Sequence, residues 1–168
     1  MKDLLFTVDD WVFDVDVEAT QNYTQGNLKD HCTCGYCRNF YTTVDQYYPN
    51  LRPFLKQFCA DVEAPVDFLP IEPALCVVSF AVCGNVVHIG SGPIVLDGCD
   101  LIVETQQDVD YMLSCPQPWF VFTTDYLQLP WVLDEDPDEV ISPANEPECL
   151  ERMWKKLLKN APSTEFFS

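Results

Sequence analysis

From residue 57 to residue 151 the sequence has neither lysine nor arginine, although 18 aspartates and glutamates fall in the same stretch. A field of that sign repels phosphate backbones and anionic lipid, so the block excludes a nucleic-acid or membrane-binding face along its length. The nine bases lie at the two ends: Lys2, Lys29, Arg38, Arg52 and Lys56 before the block, and Arg152, Lys155, Lys156 and Lys159 after it. The whole chain carries a net charge of −18, and the acidity belongs to its middle.

Long apolar runs are also missing. Nothing approaches the roughly 18 uninterrupted apolar residues of a membrane-spanning helix. The opening "MKDLLFTVDDWVFDV" interrupts its apolar pattern with acids. It has no basic leader, no apolar core and no small-residue cleavage site, so it does not read as a secretory signal. A soluble, cytoplasmic protein is the expectation. Histidine is scarce, with His31 and His88 alone. "GSGP" at 90–93 lacks the length and the lysine of a phosphate loop, and the acidic run at 134–139 lacks the glycine of a calcium loop. No pair of carboxylates stands out as a general acid and base. A catalytic role is therefore not the first reading.

What the sequence does have is enough apolar material to build a core. Hydrophobic residues make up 48 % of the 168 positions, which argues against disorder over most of the length. A single domain spanning 1–168 fits that size. Period-two alternation over 3–8 and 11–17, hinged at Asp9-Asp10, predicts an N-terminal hairpin. Residues 19–31 are polar and read as a loop. Helical spacing of Phe40, Val44, Tyr47 and Tyr48 predicts one helix. Asn50 caps a second, whose stripe is Leu51, Leu55, Phe58 and Val62. "APVDFLPIEP" reads as a proline-rich connector.

A strand-rich part follows. "LCVVSFAVC" at 75–83 reads as a central strand and Gly84-Asn85 as a hairpin turn into "VVHI". "PIVL" and "LIVE" form two strands about Asp97-Gly98. "QQDVDYML" reads as a short helix. "PWFVFTTDYL" is a further strand, with a partner at Trp131–Leu133. Glu148 to Leu158 closes the chain as an amphipathic helix. The result is an α+β domain: a mainly antiparallel sheet of 5–7 strands, two helices after the hairpin, and a C-terminal helix.

Nine cysteines stand out against that background. Six are scattered (Cys59, Cys76, Cys83, Cys99, Cys115 and Cys149), and without an export signal they read as reduced, those in strands being buried. The other three cluster in "HCTCGYCRNF". Cys34-x-x-Cys37 has zinc-knuckle spacing, Cys32 adds a thiolate, and Gly35 lets the backbone fold tightly. His31 is a candidate fourth ligand. Adjacent residues rarely both reach one ion, so Cys59 or an acid from elsewhere is the alternative. A thiol-redox pair and a plain packed turn are the competing readings of the same residues.

The words "CRNF" and "LPWVLDE" (129–135) resemble a group of uncharacterised small bacterial proteins. These share C-x-C-x-x-C-R-N-[FY] near the N-terminus and a tryptophan-bearing strand near the C-terminus. The resemblance implies a bacterial or phage source and brings no activity with it.

Two functions follow from the residues. The first is an acidic, non-enzymatic protein that engages a basic protein surface, such as a nucleic-acid enzyme or a toxin. Immunity proteins and phage-encoded inhibitors work by that physics. Asp134, Glu135, Asp136, Asp138 and Glu139 would form its patch and Trp131 its aromatic anchor. The second is a small zinc-binding or thiol-redox protein built on Cys32, Cys34 and Cys37, with His31.

Overall fold

Strand β4 (Leu75–His88) organises the molecule, a computed structural model that describes residues 3–109 and 113–137. On one edge it pairs with β3 (Asp67–Glu72) and then with β2 (Trp11–Asp16). On the other it pairs with β8 (Leu127–Gln128) and then with β7 (Trp119–Thr124). Beyond β2 lies β1 (Asp3–Val8), and beyond β7 lie β6 (Cys99–Thr105) and β5 (Ile94–Leu96). All pairings are antiparallel. Among the described residues, eight strands and three helices bear out the α+β class; the strands exceed the expected 5–7 by one, and the first helix was not expected. The closing helix at 148–158 lies outside the described residues.

The hairpin β1–β2 forms as its alternation predicts. Asp9, at a left-handed φ of 50°, makes the turn, and β2 buries Trp11, Phe13 and Val15 on one face. Asp97 and Gly98 both take positive φ and join β5 to β6 with the backbone of a tight hairpin turn.

Gly84-Asn85 does not turn. The strand runs straight through it, with Gly84 opposite Val15 at a φ of 146°. A side chain there would collide with the backbone oxygen of Asp14. Glycine thus permits close approach of β2 to β4, where the sequence pattern had suggested a reversal.

Helix α1 (Val17–Lys29) occupies the region read as a polar loop. Asp16 caps it, its carboxylate accepting from the Ala19 amide at 3.0 Å. The helix buries threonines in place of aliphatic residues. Thr20 Oγ1 accepts from the Cys83 amide at 3.1 Å and donates to the Asp16 carbonyl at 2.8 Å. Thr24 donates to the Cys59 carbonyl at 3.0 Å. Strand β3 likewise occupies the supposed connector, its Pro70 tolerated because β3 pairs with β4 alone. The partner expected at Trp131–Leu133 is not a strand; β7 is paired by β4 and β6 instead, and the short β8 at 127–128 pairs with β4. Residues 106–109 and 113 carry no helix, and 110–112 lie outside the described residues.

Helices α2 (Gly35–Tyr47) and α3 (Leu51–Gln57) cover one face of the sheet. Asn50 precedes α3 without capping it; its side-chain amide donates to Asp97 at 2.7 Å instead. Phenylalanine rings fill the space beneath. Phe13, Phe58, Phe120 and Phe122 stack or meet edge to face with centroids 4.9–5.6 Å apart, Phe54 extends the array, and Phe40 meets Phe68 separately.

A second, smaller apolar cluster holds Ala81, Cys83, Cys115, Trp119 and Val121, with Ala19 and Tyr23 of α1 packed against it. Here Cys83 and Cys115 form a disulfide. This corrects the expectation that all the scattered cysteines are reduced. The two residues are 32 apart in sequence, and their proximity arises only when the segment after β6 folds back over β4. Cys76 and Cys99 are buried thiols, as expected of strand cysteines. Burial pushes Cys76 up to about 12 and Cys99 up to about 11.

Candidate metal centre

The start of α2 brings the three clustered cysteines together. Cys34 is the residue at the helix N-cap and Cys37 lies in the first turn, closed by the Arg38 amide donating to the Cys34 carbonyl at 2.9 Å. Cys32 precedes them in extended chain. Their three sulfurs all lie within 4.8 Å of one another. Cys32 and Cys37 are buried, and Cys34 is half-buried and opens the group to solvent. Two thiolates on a tetrahedral zinc at about 2.3 Å sit roughly 3.8 Å apart, so small side-chain rotations bring this set onto one ion.

The electrostatics suit anionic sulfur. A helix N-terminus presents partial positive charge, and no acid sits in the first turn of α2 to oppose it. Tyr41, one turn further along, donates its hydroxyl to the Cys32 carbonyl at 3.3 Å and lies against the Cys37 thiol. Burial, and then the neighbouring sulfurs, hold that phenol well above its ordinary range, so it stays a donor.

His31 is not part of the group. Its exposed ring packs against Tyr41, with centroids 5.4 Å apart. Cys59 is also elsewhere, beneath α1 at a left-handed φ of 62°. Among the described residues no further histidine, cysteine or carboxylate joins the three sulfurs.

The residues just after Cys37 reach across the fold. Arg38 donates to Glu135 at 2.7 Å and through Nε to the Thr33 carbonyl at 2.9 Å. Its guanidinium holds the Glu135 carboxyl below the usual range. Asn39, 3 % exposed, donates to the Pro130 carbonyl at 3.1 Å and accepts from the Val132 amide at 2.9 Å. Tyr36 meets the Trp131 ring edge to face at 5.4 Å, and the Trp131 indole donates to the Glu135 carbonyl at 2.7 Å.

The segments "CRNF" and "LPWVLDE" are therefore one physical unit. Trp131 and Glu135, read in sequence as partner-facing, are engaged within the molecule. Asp134 and Asp136 are exposed, and Asp138 and Glu139 lie outside the described residues. Sequence reasoning found the cysteines by their spacing but missed Asn39 and Tyr41, whose signal was position: two and four residues past the last cysteine on a helix.

Elsewhere, Asp16, Glu18, Asn22, Tyr23, Asp30 and Ser114 line a cleft of about 670 Å³ between α1 and the disulfide-bonded segment. His88 is exposed at the end of β4. No helix among the described residues is long and apolar enough to cross a membrane.

The chain matches no protein-family model, no curated protein and no solved structure with significance.

Proposed function

We propose that this protein binds a thiophilic divalent metal, zinc first, through Cys32, Cys34 and Cys37. The single observation that carries the reading is the mutual approach of three thiol sulfurs at a helix N-terminus. Three thiolates are a soft, triply anionic donor set, which favours zinc over magnesium or calcium. The described residues offer three ligands, and a fourth donor would complete the tetrahedron. Zinc bound there would hold the loop at 32–37 onto α2, and Tyr41 and Arg38 would fix the ligands from outside.

The reading requires the three thiols to be reduced, as in a cytoplasm. The Cys83–Cys115 disulfide is compatible with that compartment because both residues are buried, at 1 % and 4 % exposure, beyond easy reach of soluble reductants. Elemental analysis of protein purified without chelator is expected to find about one zinc per chain, released on thiol alkylation and not on high salt. Metal-free protein that also fails to take up added zinc overturns the reading.

The acid-lined cleft beside α1 favours a second role, engagement of a basic protein surface. Charge complementarity of that kind acts mainly on the association rate. Binding of a cationic test protein is expected to weaken steeply as salt rises through the physiological range, where the screening length is about 8 Å. Affinity that holds constant over the same titration excludes this role.

A further inference from the structure

The metal reading, on which this inference rests, leaves one arrangement unexplained. A side chain buried as deeply as Asn39 is spent entirely on the backbone of a distant, irregular segment, and its neighbour Arg38 grips both that segment and the cysteine loop.

The connections form a closed path. Cys37, Arg38 and Asn39 are consecutive on the first turns of α2. Arg38 ties Thr33, which lies between Cys32 and Cys34, to Glu135. Asn39 clamps the strap at Pro130 and Val132 with both ends of its amide. Trp131 closes the strap on itself through the Glu135 carbonyl and rests on Tyr36, which sits between Cys34 and Cys37. Among the described residues, 130–135 have no sheet partner to hold them in place. Their position is set by contacts to the same two helical turns that carry the cysteines.

We infer that Arg38 and Asn39 are positioning residues that link metal binding at Cys32, Cys34 and Cys37 to docking of the strap 130–135, each event strengthening the other. The physical basis is reciprocity. A metal that orders the loop 32–37 and the first turn of α2 fixes the donors and acceptors on which the strap docks. A docked strap holds that same turn in the geometry that the metal needs. Any factor by which one changes the other must appear in both directions. The acidic side chains carried by the strap, Asp134 among them, are presented in one orientation when the metal is bound.

The test uses the full chain with zinc as the probe. Zinc affinity is measured by competition with a chromophoric chelator, and backbone hydrogen exchange is followed over 126–137 with and without zinc. Removing groups that orient metal ligands typically costs tenfold or more in affinity, so Asn39→Ala is expected to weaken zinc about tenfold; Glu135→Gln, at an exposed ion pair, is expected to weaken it about two- to threefold. Zinc is expected to slow exchange in the strap of the wild type by a similar factor of about ten, to lose most of that effect in Asn39→Ala and to lose part of it in Glu135→Gln.

Glu135 is exposed, so its substitution does not threaten folding and carries the test alone if Asn39→Ala misfolds. Wild type that binds zinc while strap exchange stays unchanged, or a folded Glu135→Gln variant with wild-type affinity, overturns the linkage and leaves the metal site standing. Wild type that binds no zinc overturns both.

Discussion

Replacing Cys37 with serine is expected to weaken zinc binding by about 3 kcal/mol, on the order of a hundred-fold. Structural zinc sites with four ligands contribute about 10–16 kcal/mol, so each ligand accounts for roughly 2.5–4 of it. Cys37 is the ligand whose loss should be felt most. It is buried at 1 % exposure, fixed on the helix, and flanked by Tyr41. A serine hydroxyl in its place stays protonated at neutral pH and is a poor zinc ligand. Cys59→Ala supplies the control: that thiol lies under α1, outside the sulfur group, and its removal should leave zinc affinity where it was. Chelator competition on both variants reads the difference. Equal affinities in the two would show that the cluster is packing and not a metal site.

The second large effect concerns the array of rings under α2 and α3. Phe122→Ala should destabilise the fold by about 4 kcal/mol, read as a shift of the denaturant midpoint. Phe122 has no exposed surface and meets Phe13, Phe54, Phe58 and Phe120 at centroid distances of 4.9–5.6 Å. It therefore joins β2, β7 and α3 in one contact set, and neighbours held by a sheet ladder cannot collapse into the space it leaves. Ile102 on the adjacent strand β6 is 47 % exposed, and Ile102→Ala should cost no more than about 0.5 kcal/mol. Similar costs for the two would mean that the rings are loosely packed.

Particular residues show why some of this was legible in sequence and some was not. The hairpin at 3–16 was legible because alternation and a two-residue aspartate turn agree. The approach of Cys32, Cys34 and Cys37 was legible because C-x-C-x-x-C spacing at a tight turn brings its sulfurs together. Helix α1 was hidden because hydrophobic periodicity sees only apolar side chains, and this helix docks through the hydroxyls of Thr20 and Thr24. Its cap, Asp16, was the one available signal. Gly84-Asn85 misled because turn chemistry and close backbone packing ask for the same residue. The disulfide was out of reach because nothing local to Cys83 or Cys115 marks the fold-back that joins them.

The strap was hidden for a different reason. It has no regular hydrogen-bond pattern of its own, so its position follows from side chains on α2. The expectation of a strand at Trp131–Leu133 came from composition, since tryptophan and valine favour strands. The amide of Val132, which a strand would give to a neighbouring strand, goes to Asn39 instead.

The placement of β4 also matters while the chain is being made. One of its edges is met by β2 and β3, both synthesised earlier. The other waits for β7, whose Trp119 pairs with Cys83. At roughly 5–20 residues per second, translation takes on the order of a few seconds to cover that gap. During each round of synthesis a long, mostly apolar ribbon stands with one side bare.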